Sequence, residues 1–373
     1  MKTHARKAIS LFSGAGGMDV GIREASFSIL AEIEFDEHCC ATLKANAARQ
    51  HTGTRVFHED IRNVVPSELL KDLELEKGEL DLLFGGPPCQ SFSLAGKQLG
   101  LMDERGPLLF EIIRFAKMIR PKVILLEQVK GLLSSKGSEA RRGEVFEKFL
   151  RELEEISYTP KWRVILAADY GVPQLRERLF VIATRERNGF LFPDRTHAPV
   201  EECKGLFPYE PYVGIGEVIS GLGNPDPKIR GKTVYERTDS HVDVTPERDR
   251  ERIAKVPEGS YLAAQTHLGE KLIRGLSSKD TTKYLRLHRE RPSNTLRCGE
   301  IFYHPTEDRY LTPREYMRIH GYPDDYILKG PIRSRTGSVR NLDQHRQVAN
   351  SVPPLLAKII GLQIKRFLDE QNI

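Results

Sequence analysis

Cys89 stands at the end of Gly85-Gly86-Pro87-Pro88-Cys89-Gln90-Ser91-Phe92-Ser93, directly after an apolar run, so a stiff Pro-Pro step delivers one thiol where a strand should end. Buried thiols usually sit inside periodic segments, and this one is followed by polar sequence as far as Gly106. It reads as an exposed, reactive nucleophile. Cys39, Cys40, Cys203 and Cys298 read instead as small buried hydrophobes. A second run, Val123 to Leu126, ends at Glu127-Gln128-Val129 and offers a carboxyl that could donate or accept a proton. In Gln174-Leu175-Arg176-Glu177-Arg178, strand alternation puts Gln174, Arg176 and Arg178 on one face, where two arginines could clamp an anion.

A fourth group points to a nucleotide. The run Ala8 to Phe12 leads into Ser13-Gly14-Ala15-Gly16-Gly17, glycines where a backbone must turn tightly and approach a ligand. Glu34, 20 residues after Gly14, can accept the hydroxyls of a ribose, and Asp60 ends the next strand beside the same crevice. The dinucleotide fingerprint would need glycine at position 19, which is Asp19, and a phosphate-loop lysine is missing. An adenosine cofactor without a pyrophosphate, S-adenosyl-L-methionine, fits better than NAD or ATP.

These groups need a scaffold that brings strand ends to one edge. The pattern predicts strands at Ala8 to Phe12, Ile29 to Phe35, Val56 to His58, Leu80 to Phe84, Val123 to Leu126, Val164 to Ala167 and Leu179 to Ala183. Helical periodicity falls between them, at Glu37 to Ala47, Leu108 to Ile119 and Gly143 to Ile156. This is an α/β fold, a doubly wound, mostly parallel sheet whose ligands bind at the carboxyl edge. From Arg187 to Glu290 the sequence turns irregular and Gly/Pro-punctuated, a second, smaller domain. Ser351 is expected to cap a terminal helix with an apolar stripe through Leu355, Leu356, Ile359, Ile360, Ile364 and Phe367. The expected division is 1–186, 187–340 and 341–373.

Composition narrows the classes. With 373 residues the chain can bury a large core, and its five cysteines have no C-x-x-C spacing, against a disulfide framework or a structural metal site. Apolar runs are too short for a membrane span, and neither a signal peptide nor a metal is expected. A reducing cytoplasm is the expected location. The net charge is +5, and because residues 1–184 balance, the whole excess falls in the remainder, a hint of a polyanion partner.

The ordered set of motifs resembles the cytosine-C5 DNA methyltransferases of bacterial restriction-modification systems. The set is Leu11-Phe12-Ser13-Gly14-Ala15-Gly16-Gly17, Glu59-Asp60-Ile61, Gly86-Pro87-Pro88-Cys89-Gln90-Ser91-Phe92-Ser93, Glu127-Gln128-Val129, Gln174-x-Arg176-x-Arg178, Arg291-Pro292-Ser293-x-Thr295 and Gln347-Val348-Ala349-Asn350-Ser351-Val352-Pro353. The resemblance covers Ala8 to Thr184 and Arg291 to Gly361 and leaves the middle unmatched. It implies S-adenosylmethionine contacts at Phe12, Gly14, Gly16, Glu34, Asp60, Ile61, Pro88, Leu108, Asn350 and Val352. It implies that Cys89 adds to C6 of a flipped-out cytosine, Glu127 holds N3 and the exocyclic amine, Arg176 holds the base, and Arg178 orients Glu127 or the cysteine loop. The stretch Gln90 to Arg105 would close on the DNA.

Contacts to double-stranded DNA are expected from Gln90, Ser93 and Gln174, and from Arg286 and Arg289 to phosphates. Sequence specificity is expected in the unmatched middle. The implied partners are duplex DNA and a separately encoded cognate endonuclease, with a monomeric enzyme. Three positions depart from the family pattern: Gln128 for Asn, Ala349 for Gly, and Pro87 for Phe or Gly. A tRNA methyltransferase, a catalytically dead DNA-binding regulator and a nicotinamide dehydrogenase are the rival readings. Retention of Cys89, Glu127 and Arg176 disfavours the second, and Asp19 the third.

Overall fold

A computed structural model describes residues 5–88, 106–136, 141–186, 189–204, 209–229, 240–268, 283–334 and 340–373. The chain divides into two compact units, residues 1–166, 177–194 and 356–373, and residues 167–176 and 195–355. The expected boundary at 186/187 is therefore replaced by an interleaved one. A short excursion at 167–176 belongs to the second unit, and the terminal 18 residues belong to the first.

The first unit is built on a seven-stranded sheet. Its strands are β1 (Arg6–Leu11), β2 (Phe27–Glu34), β3 (Arg55–His58), β4 (Leu82–Gly85), β5 (Val123–Gln128) and β6 (Thr159–Leu166). A two-residue strand in the second unit, β7 (Gln174–Leu175), precedes the last sheet strand, β8 (Glu177–Thr184). The order is β3-β2-β1-β4-β5-β8-β6, with β1 to β5 parallel and β8 antiparallel to both β5 and β6. Strands β4 and β5 are almost continuous apolar runs because helices cover both faces of such a sheet. Each predicted strand is present, and β6 begins five residues earlier than its apolar core suggests.

Helices α1 (Gly17–Glu24), α2 (Glu37–Gln50), α3 (Pro66–Asp72), α4 (Glu111–Ile119) and α5 (Glu144–Glu155) connect the parallel strands and lead into β6. Asp36 caps α2 by accepting from the Cys39 amide at 3.0 Å. The helix predicted from Leu108 starts as a 3-10 segment and becomes α-helical only at Glu111. Ile112, Phe115, Phe149, Leu153, Leu83 and Val181 belong to one apolar cluster that fixes these helices on the sheet.

Ser351 does not begin the terminal helix. It ends the preceding helix Gln344–Asn350, its hydroxyl donating back to the Val348 carbonyl at 2.8 Å, and the terminal helix runs Pro354–Glu370. A proline at a helix start costs no amide partner, which lets Pro354 open the helix. The end of the chain packs into the first unit: Arg6 donates to the Ile373 carbonyl at 2.6 Å, and Lys358 pairs with Glu24 at 3.0 Å.

Beneath the glycine loop, Asp19 of α1 and Glu32 of β2 are both buried and share one cation, Arg23, which ion-pairs Glu32 and reaches the Thr54 hydroxyl at 3.3 Å. Ser10 lies beside Asp19. Burial pushes Asp19 up to about 6 and, with the Asp19 charge beside it, Glu32 up to about 8. The folded state thus keeps protons that the unfolded chain releases near pH 4. Their contribution to stability is complete at acid pH and is lost as pH rises toward 8. Thermal melting of wild type should fall between pH 5 and pH 9 relative to Glu32→Gln, by about 3 °C or more. Parallel pH profiles for the two proteins would refute this.

Candidate active site

In the first unit several of the expected site residues lie at the carboxyl edge of the sheet. Glu127, the next-to-last residue of β5, forms an ion pair with Arg178, Oε1 to Nε 2.8 Å, with both side chains close to nine-tenths buried. The antiparallel register, Glu127 opposite Phe180 and Gln128 opposite Leu179, brings the start of β8 to the end of β5. Gly86 leaves room for the carboxylate: a Cβ there would lie 3.0 Å from Glu127 Oε2. Two residues further, Pro88 is the last described position before Cys89. Cys89, Gln90 and Ser93 lie outside the described residues.

Gln128 anchors that loop from beneath. It is 1 % exposed, donates through Nε2 to the Pro87 carbonyl at 3.0 Å and accepts the Val129 amide on Oε1 at 2.8 Å. The departure from Asn thus keeps both a donor and an acceptor in use. Gln128→Leu would leave the buried Pro87 carbonyl unpaired, at roughly 1–3 kcal/mol, and remove the partner of the partly buried Val129 amide. It should lower the single-turnover methylation rate more than tenfold, whereas Gln128→Asn should stay within about tenfold, ~1.4 kcal/mol. A Leu variant as fast as wild type would mean that Gln128 only fills space.

At the other half of the edge, the Glu34 carboxylate accepts three amides, Gly14 at 2.7 Å, Phe35 at 2.8 Å and Asp36 at 2.7 Å. Burial raises its pKa, and the three amides oppose that rise. Gly14 and Gly16 have φ of +55° and +78°, and the space around a Gly14 Cβ is open. Gly16 is the N-cap of α1 and brings no side chain to the amides of its first turn. Asp60 caps a 3-10 turn and holds Arg62 with both oxygens, and Ile61 is buried next to it. Phe12 and Leu108 pack against the core cluster. Phe35, directly after Glu34, is 39 % exposed. Sequence reasoning passed over it as a strand end, although an exposed aromatic next to an acidic residue at the end of a parallel strand is itself a signal.

The second unit holds the remaining expected residues. Alternation in Gln174, Arg176 and Arg178 is as predicted, with Leu175 exposed between them. Gln174 is fully buried, paired with His320 at 3.0 Å and accepting the Leu296 amide at 3.2 Å, so the expected DNA contact does not fit it. Arg176 is 1 % exposed, and one of its nitrogens donates to the carbonyls of Ala349 and Ser351, both at 3.0 Å. Through that nitrogen Arg176 ties the turn around Asn350.

Asn350 itself is exposed, with Cys298 donating to its Oδ1, while Val352 is buried. Cys39 and Cys40 are buried as expected, but Cys203 and Cys298 are only partly so. Arg286 is buried and donates to the carbonyls of Pro305, Ile253 and Val256, which overturns the phosphate contact expected of it. Arg289 is exposed and grips Glu258 with two nitrogens, at 2.8 Å and 3.0 Å. Among the described residues no helix is long and apolar enough to cross a membrane.

Comparison with known proteins places these features. Type II methyltransferase M.PspPI of Psychrobacter sp. is 35 % identical over 97 % of this chain and 79 % of its own length. M.Eco47II of Escherichia coli is 32 % identical over 98 % and 80 %. The fold is also that of Spodoptera frugiperda DNMT2, at 18 % identity, 96 % and 99 % coverage and a TM-score of 0.59. The C-5 cytosine-specific DNA methylase family matches residues 6–366, and the chain belongs to that family: it is a DNA cytosine methyltransferase.

Proposed function

We propose that the chain methylates C5 of a flipped-out cytosine in a specific duplex DNA sequence, by way of a covalent Cys89 adduct, with S-adenosyl-L-methionine as cofactor. The reading adds protection of cytoplasmic DNA against a separately encoded endonuclease, by a monomeric enzyme. The observation that carries it is the Glu127–Arg178 ion pair beside Gly86, three residues before Cys89.

The residues present fit the cofactor. Glu34 offers its carboxylate to the ribose, Phe35 an exposed aromatic ring to the adenine, and the first turn of α1, which has no side-chain cap, its amides to the carboxylate. Phe12, Gly14, Gly16, Asp60, Ile61, Pro88, Leu108, Asn350 and Val352 complete the proposed set. When bound, the cofactor supplies an electrophilic methyl group on a sulfonium.

C5 of cytosine is a poor nucleophile within an aromatic ring. Addition of the Cys89 thiolate to C6 forms an S–C6 bond and gives the C5–C6 unit enamine character. Glu127, as the acid, gives its proton to N3 while negative charge develops there and accepts the exocyclic amine, recovering the proton when the thiolate leaves; Arg178 fixes the Glu127 side chain. Once C5 is methylated its proton leaves to a base, and the electron pair expels the thiolate. C6 is unreachable in a stacked duplex, so the base is extruded at a cost of a few kcal/mol. Arg176 is a positioning residue for the turn around Asn350.

Bisulfite sequencing of plasmid DNA incubated with the enzyme and S-adenosylmethionine reads base, position and sequence together. Protection at one recurring sequence is expected. Methylation of tRNA in preference to duplex DNA would overturn the substrate. Phe35→Ala should weaken S-adenosylmethionine binding by about tenfold or more through the lost ring contact; unchanged affinity in calorimetry would remove Phe35 from the site.

A further inference from the structure

Beyond Gln128 the chain passes through a 3-10 segment, Lys130–Ser134, into an isolated antiparallel bridge between Lys136 and Arg142, and then into α5. The bridge has a firm base: the Gly143 amide donates to the Ser135 carbonyl at 3.0 Å, and Leu132 is buried in the core. Neighbouring cations are neutralised, Lys130 by Glu177 at 3.0 Å and Arg141 by Glu147 at 2.5 Å. Lys136 and Arg142 are exposed, and among the described residues neither has an ionic partner. Like charges directly opposite across a strand pair are destabilising. A local arrangement that costs the fold is expected where a ligand of opposite charge relieves it.

The location selects the ligand. The parallel strands end at one edge, with the glycine loop, Glu34 and Asp60 after β1, β2 and β3, the Pro-Pro-Cys segment after β4, and Glu127 on β5. The bridge follows β5 on that same edge, on the half away from the glycine loop. If Glu127 receives the target base, as proposed above, the strand carrying that base passes over this half.

We propose that Lys136 and Arg142 form a prong that grips phosphates of duplex DNA beside the extruded cytosine. Their side chains leave paired residues about 5 Å apart and add charge but no base readout.

The test is the double variant K136Q/R142Q in the full chain, binding a plasmid-derived duplex fragment between 50 and 200 mM salt. The salt slope of log K should fall by about 2 against wild type, with the methylated sequence unchanged and the melting temperature equal or higher. An unchanged slope, or a shifted methylation sequence, would overturn the prong. A fall in melting temperature that matches the loss of binding would also overturn it, as a purely structural effect. Methylation of the same fragment by wild type separates this from the function itself: its absence counts against the reading of the site, not against the prong.

Discussion

Glu127→Gln is expected to slow single-turnover methylation of duplex DNA by about a thousandfold, ~4 kcal/mol, with cofactor affinity close to wild type. The side chain is isosteric, so packing against Gly86 survives. What disappears is the acid that Arg178 holds in place and that would give a proton to N3 and accept the exocyclic amine as the thiolate adds to C6. Because the guanidinium loses its partner at a site nearly nine-tenths buried, a modest fall in melting temperature should accompany the change. Glu34 and the glycine loop lie on other strands, so S-adenosylmethionine binding should not follow it. A rate within tenfold of wild type would mean that this carboxylate does not touch the reacting base.

Cys89→Ala carries the larger effect: no measurable methyl transfer, with stability and cofactor binding retained. Without a nucleophile on C6 the cytosine ring keeps its conjugation, and the rest of the site has no means of activating C5. The described approach to Cys89 supports the assignment. Gln128 pins the Pro87 carbonyl two residues upstream, and Gly86 packs on Glu127, so the segment leading to the thiol is fixed to the strand that bears the carboxyl. Residual transfer above background in Cys89→Ala would assign the nucleophile elsewhere.

The parts of this site legible in the sequence are those that lie at strand ends. Gly14, Glu34, Pro88 and Glu127 announce themselves because a parallel sheet sends its ligands to one edge, and short apolar runs locate that edge without knowing strand order. The Glu127–Arg178 pair needed the order as well. Only the antiparallel insertion of β8 next to β5 joins two residues 51 positions apart, and local periodicity does not encode which strand neighbours which.

Arg176, Gln174 and Arg286 were legible as charge and polarity but not as fate. A guanidinium meets either a ligand or a set of carbonyls, and the carbonyls of Ala349, Ser351 and Pro305 come from distant or irregular segments. Ser351 illustrates a local version of the same limit. Its residue type suits either helix end, and the helix that it closes, capped by Asp343, has too few apolar positions to show a period.

The central claim is the covalent adduct, and the most direct measurement is trapping on duplex DNA that carries 5-fluorocytosine at the methylated position, with S-adenosylmethionine present. Fluorine at C5 cannot leave as a proton, so the thiolate cannot be eliminated and the complex should survive denaturation, with the DNA attached by mass spectrometry to Cys89. Cys89→Ala should give none. A wild-type enzyme that methylates ordinary duplex but forms no denaturation-resistant complex, or a complex mapped to Cys298 or any other residue, would contradict the account.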